Sequence, residues 1–106
     1  MANMSQVAKD VWKVHGHKWF ESEKLYMNKM DEEGIEIIAY KSGYPDFMLL
    51  KNGKIMFREI KNGNGKISNK QKKVLRTLKL SGFDVEVLRY DETSCTFTVD
   101  KQWFRG

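Results

Sequence analysis

Gly43-Tyr44-Pro45-Asp46-Phe47-Met48-Leu49-Leu50-Lys51-Asn52-Gly53-Lys54-Ile55-Met56-Phe57-Arg58-Glu59-Ile60-Lys61 carries two strand-like runs on either side of a tight turn. Two apolar-rich runs flank Asn52-Gly53, a pair suited to a two-residue hairpin turn with positive φ at both central positions. With that turn, Lys51 faces Lys54, Leu50 faces Ile55, and counting back along the ladder sets Asp46 opposite Glu59. Side chains alternate with period two, so Lys61 shares the face of Glu59. An acid, a second acid and a lysine therefore converge at one end of the hairpin. Like charges directly opposite are destabilising, and a hard divalent cation with oxygen ligands is the economical reason to place them so. The alternative is a Pro45-Asp46 turn leading into the strand, with Glu59 and Lys61 a solvated pair on an open sheet face.

The rest of the chain bounds what that hairpin can belong to. At 106 residues and 41% hydrophobic content, one domain with one core is expected. No apolar run approaches a membrane span, and Lys9, Asp10 and Lys13 interrupt the start of the chain where a signal peptide would be apolar. A soluble, intracellular (cytoplasmic) protein is expected. Cys95 is the single cysteine, which leaves no disulfide framework and no cysteine-based zinc site, and it is expected to be a small buried hydrophobe. The formal charge of +5 points towards a polyanionic partner.

Upstream of the hairpin, Ser5 to Val14 suits a short helix capped by Ser5, broken at His15-Gly16-His17. Two histidines without a third or a cysteine nearby are assigned a structural or surface role rather than a metal site. From Lys18 to about Glu33, Trp19, Phe20, Tyr26, Met27 and Met30 recur at helical spacing, and Gly34 follows as a C-terminal cap. At roughly 100° per residue Glu23 falls near the centre of that stripe, with Glu21 and Leu25 opposite. A carboxylate on an apolar face is half-exposed at the end of the stripe or belongs to a site. Ile35 to Tyr40 reads as a strand, Lys41 to Tyr44 as a turn, and the hairpin is apolar enough on both sides to be covered by helices on both.

Downstream, Asn62-Gly63-Asn64-Gly65-Lys66 is a loop, and Ser68-x-x-Gln71 is a capping box opening a helix that Gly82 closes. Val74, Leu75 and Leu78 form its stripe with Gln71 in line; Gln71 is either a pure cap or part of a site. Lys72, Lys73, Arg76 and Lys79 share the opposite flank, a solvated face or a phosphate-binding one. Phe83 to Tyr90 reads as a strand with one apolar side, returning by a right-handed crossover beside the strand of Glu59. Asp91 to Ser94 turns the chain, Thr96 to Val99 forms a last strand, and Trp103 with Phe104 packs down its end.

The order helix, three strands, helix, strand, with Pro45-Asp46 at the second strand and Glu59-Ile60-Lys61 ending the third, resembles the PD-(D/E)XK nuclease superfamily. The spacing of Gly43-Tyr44-Pro45-Asp46, Glu-x-Lys and Ser68-x-x-Gln71 is most similar to VRR-NUC domains, with archaeal Holliday-junction resolvases close behind. The likeness spans about Glu21 to Tyr90. It implies an α/β, restriction-endonuclease-like α-β-β-β-α-β core with a central mixed sheet flanked by helices, occupying residues 19–90 of a single domain after an extension over residues 1–18.

The resemblance also implies a chemistry. In such enzymes the acids at Asp46 and Glu59 and the backbone carbonyl at Ile60 bind Mg²⁺ or Mn²⁺. The lysine at Lys61 orients the attacking water, a first-helix glutamate matched by Glu23 (Glu21 being the less well placed alternative) completes the acidic constellation, and the helix glutamine corresponds to Gln71. The implied activity is a metal-dependent DNA endonuclease leaving 5′-phosphate and 3′-hydroxyl ends. So short a nuclease has little surface for reading bases, so structure-selective cutting of branched or junction DNA, as by a Holliday-junction resolvase acting as a homodimer, is expected. Lys66, Lys70, Lys72, Lys73, Arg76 and Lys79 are expected to contact phosphates. The competing readings are a nicking or restriction-type nuclease, one acting on RNA, and a non-cutting nucleic-acid-binding module. Size alone would suit a virus or mobile element as the source.

Overall fold

The computed structural model describes residues 20–39 and 45–105. The expected helix over residues 5–14, His15, His17 and the turn over residues 41–44 lie outside the described residues. The elements are α1 (Glu21–Glu32), β1 (Glu36–Ala39), β2 (Phe47–Lys51), β3 (Lys54–Asn62), α2 (Asn69–Leu80), β4 (Asp84–Asp91) and β5 (Thr96–Val99). The five strands form one mixed sheet in the order β1-β2-β3-β4-β5. Only the β3–β4 pairing is parallel; the other three are antiparallel. The architecture is the α/β, restriction-endonuclease-like core.

The hairpin turns where its chemistry demands. Asn52 and Gly53 take φ of 51° and 75°, and the ladder pairs Lys51 with Lys54 and Leu50 with Ile55, running down to Phe47 with Arg58. The next position out carries Asp46 on one side and Glu59 on the other. From β3 the chain crosses over through α2 and returns as β4 in parallel, with Val87 beside Glu59 and Arg89 beside Lys61.

Each face of the sheet has its own core. On one, Tyr26, Met27 and Met30 of α1 pack on Ile37, Phe47, Leu49, Ile60 and Leu88. On the other, Leu75 of α2 packs with Phe57, Val85, Val87 and Trp103. Both faces are thus covered by helices. Burying a side chain of the size of Phe47 or Leu75 stabilises the fold by about 1.5–3 kcal/mol, so the two halves of the β2–β3 hairpin are clamped from both sides.

Three expectations are corrected. Phe20 does not join the stripe of α1: it is the N-cap, in extended backbone (φ −69°, ψ 153°), off the helical spiral and 67% exposed. Strand β4 is apolar on both sides, Val85 and Val87 facing α2 while Leu88 and Tyr90 are buried on the other face, because it is an interior strand between β3 and β5. Cys95 is exposed, held at φ 56° in the turn before β5 rather than buried.

Candidate active site

The site lies where β3 leaves the hairpin. Glu59 is 1% exposed, on the sheet face that α2 covers. Asp46, just before β2, donates its backbone N–H to Glu59 Oε1 at 3.2 Å, and its own Oδ2 accepts the N–H of Ile60 at 2.9 Å. The backbone of each flank is therefore tied to the acid of the other, which holds the two carboxyls in one place. Lys61, two residues on and on the same face, approaches Glu59 Oε2 at 3.5 Å.

Gln71 closes the cluster from α2. Ser68 Oγ accepts the Gln71 N–H at 3.1 Å and Gln71 Oε1 accepts the Ser68 N–H at 3.1 Å, the reciprocal pattern of a capping box. The same Oε1 accepts from Lys61 Nζ at 3.0 Å, while Nε2 donates to Glu59 Oε2 at 3.2 Å. Capping and a site position are not alternatives at this residue; one amide serves both. Because the cap fixes the side chain, the helix start positions the amide that bridges Lys61 and Glu59.

Glu23 stands apart from this contact network. It is buried on the α1 stripe at 8% exposure, but its Oε1 accepts the N–H of Phe20 at 2.9 Å, finishing the N-terminus of its own helix. Among the described residues no group of three or more His, Cys, Asp or Glu side chains gathers to hold a metal; Asp46 and Glu59 are the carboxyls in contact, with Glu23 within electrostatic reach of Asp46 and Lys61. The Glu23 charge helps to raise Asp46, and Lys61 in turn lowers Glu23. Glu21 is exposed on the outer side of α1.

The electrostatics follow from burial. Desolvation pushes Glu59 up to about 8, with the neighbouring Asp46 charge adding to it and Lys61 opposing. Desolvation likewise pushes Asp46 up to about 6, against the Ile60 N–H and Lys61 and with the Glu23 charge. Glu23 is raised mainly by burial, against the Phe20 N–H and Lys61. A pair of acids pressed together holds a proton between them near neutrality unless a cation replaces it. Two hard carboxyl oxygens beside the Ile60 peptide are the donor chemistry of Mg²⁺ or Mn²⁺; Mg²⁺ typically takes one or two protein carboxylates and completes its sphere with water and substrate phosphates.

The family model of the VRR-NUC domain matches residues 15–92. The chain belongs to the VRR-NUC family. This is a nuclease domain family of the PD-(D/E)XK type, and the matched span contains every acid, lysine and glutamine of the cluster. No curated protein matches the chain. No helix among the described residues of this VRR-NUC domain is long and apolar enough to cross a membrane.

The expected phosphate-contacting residues divide. Lys66, Lys70 and Lys73 lie exposed and Lys72 half-buried. Arg76 instead donates to the carbonyl of Phe104 and lies 4.6 Å over its ring, with Lys79 at 5.5 Å, so these two cations help dock the segment after β5 onto α2. Two arginines escaped the sequence reading. Arg58 is buried and reaches Asp84 Oδ1 and Glu86 Oε1, both at 3.1 Å, locking β3 to β4 beside Glu59. Arg89 bonds Asp100 Oδ2 at 3.0 Å and the carbonyls of Gly63 and Gly65, pinning the loop that joins β3 to α2. The signal for both was a lone arginine inside an apolar strand, which demands a buried partner.

Proposed function

We propose that this VRR-NUC domain is a divalent-metal-dependent, structure-selective DNA endonuclease of the junction-resolving kind. The observation that carries the reading is the contact network of Asp46, Glu59, Lys61 and Gln71, assembled from three separate elements within the span that matches a nuclease family. Asp46, Glu59 and the Ile60 carbonyl would hold Mg²⁺ or Mn²⁺. Such an ion, when bound, supplies charge stabilisation to the phosphoryl oxygens and lowers the pKa of a coordinated water.

The chain's own groups do the rest. Lys61, held by Gln71, presents its ammonium beside Glu59 to orient the attacking water and to offset charge on the phosphoryl group. Water oxygen bonds to phosphorus and releases its proton to solvent, the bond to the 3′ oxygen breaks, and the products are a 5′-phosphate and a 3′-hydroxyl that takes its proton from solvent. Gln71 serves as a positioning residue for both partners. Glu23 adds negative charge near Asp46, which strengthens the attraction of the pair for a divalent cation. Pairing of two copies would set two such sites at a fixed spacing on branched DNA.

Cleavage of a synthetic four-way junction, beside linear duplex and single-stranded controls of the same sequence, tests the reading. Paired, symmetric cuts near the branch point are expected. Cuts on linear duplex instead would transfer the protein to the nicking or restriction class, and binding of every substrate without cutting would make it a non-cutting module.

A further inference from the structure

Beside the site runs a cleft of about 780 Å³, bounded by the loop after β3, the first turns of α2 and the segment after β5. Its lining includes Asn64, Lys66, Lys72, Arg89, Lys101 and Gln102. Arg89 sits next to Lys61 in the parallel β3–β4 register, so the cleft opens one strand spacing, about 4.8 Å, from the lysine of the site and on the same sheet face. Among the described residues the only acid in its lining is Asp100, and that carboxylate is paired with Arg89. Among the described residues no carboxylate lies within ion-pair distance of Lys66, Lys72 or Lys101. The cleft therefore carries three uncompensated cations with two amide side chains between them.

We infer that this cleft binds the sugar–phosphate backbone of the nucleic-acid strand on one side of the scissile phosphate, with Lys66 and Lys72 on one wall and Lys101 on the other. The inference rests on the nuclease reading and adds to it a direction and a residue. Lys101 and Gln102 lie outside the residues that match the family model, 15–92, so the far wall belongs to this chain's own C-terminal segment. The outer flank of α2 is a poorer track, because Arg76 and Lys79 lie against Phe104. On the other side of Arg89 a neighbouring hollow is lined by Asp91 and Glu92, which would repel phosphate; the strand is steered one way.

Equilibrium binding of a fluorescent four-way junction, titrated with salt in the presence of chelator so that no cutting occurs, tests it. The variants are Lys72→Ala/Lys101→Ala and, with the same loss of charge elsewhere, Lys29→Ala/Lys51→Ala; thermal melts check that both fold. Each phosphate contact contributes about 0.9 to the slope of log K against log salt, so the cleft variant is expected to lose about 2 from that slope and at least about tenfold in affinity. The control pair should lose less than about threefold and keep its slope. Equal losses in both variants would mean that net charge alone drives binding, and a cleft variant that binds like the wild type would show that the strand lies elsewhere; either overturns the inference while leaving the nuclease reading intact. Failure of the wild type to bind any nucleic acid would overturn both.

Discussion

Replacing Glu59 by Gln should abolish most of the pH dependence of stability in the metal-free protein. In the fold, burial and Asp46 push Glu59 up to about 8; in the unfolded chain it titrates near the ordinary carboxylate range, about 4.3. A carboxyl with a raised folded pKa contributes stability that is fully present below the unfolded value and is lost as pH rises through the folded one. Between about pH 5.5 and 7.5 the folded pair keeps a proton that the unfolded chain has released, and each such proton changes stability by about 1.4 kcal/mol per pH unit. The wild type should thus lose roughly 2–3 kcal/mol across that window, which for a domain of this size lowers Tm by about 10 °C or more. Thermal melts in chelator at pH 5.5, 6.5 and 7.5 read this directly. Glu59→Gln should flatten the fall to a few degrees. A wild-type Tm that is level or rises over the same window would refute the reasoning, since it would mean that the acids ionise freely inside the fold.

Three other outcomes follow from the same contacts. Adding Mg²⁺ to metal-free protein should raise Tm, and by more at pH 7.5 than at pH 5.5, because protons and the ion compete for Asp46 and Glu59; equal shifts at both pH values would place the ion elsewhere. Gln71→Ala removes one half of the capping box and frees both Lys61 and Glu59, so it should cost about 1 kcal/mol in urea melts and lower kcat about tenfold or more, whereas a helix-cap role alone would leave kcat untouched. Arg58→Ala removes the buried partner of the part-exposed Asp84 and Glu86 and should cost about 1.5–3 kcal/mol, measured by urea unfolding; a loss below about 0.5 kcal/mol would show that the Arg58 ion pairs do not hold β3 to β4.

Most of what positions the site was legible because it is local. Asn52-Gly53 sets the hairpin register, and once that is set Asp46, Glu59 and Lys61 have no freedom to be anywhere else. Gln71 was legible through its helix-start signal, although only the tertiary fold shows that the same amide also bridges Lys61 and Glu59. What escaped depends on neighbours far along the chain. The periodicity of α1 places Glu23 on a buried stripe but does not say which sheet face that stripe covers, so its electrostatic reach to Asp46 and Lys61 was invisible. The two-sided burial of β4 follows from the strand pairing with β5, which alternation within β4 cannot report. Lys101 carries no local pattern at all; its place beside Lys66 and Lys72 arises from the return of the chain after β5.

Hydrolysis of phosphodiester bonds is assigned to the buried pair of acids with Lys61. Cleavage of junction DNA by the wild type, Glu59→Ala and Lys61→Ala, each with Mg²⁺, with Mn²⁺ and with chelator, measures it most directly. Cutting by the wild type is expected with either ion and not with chelator, with a loss of at least about 10²-fold in each variant and junction binding retained. Undiminished cutting by Glu59→Ala, or cutting by the wild type that persists in chelator, would contradict it.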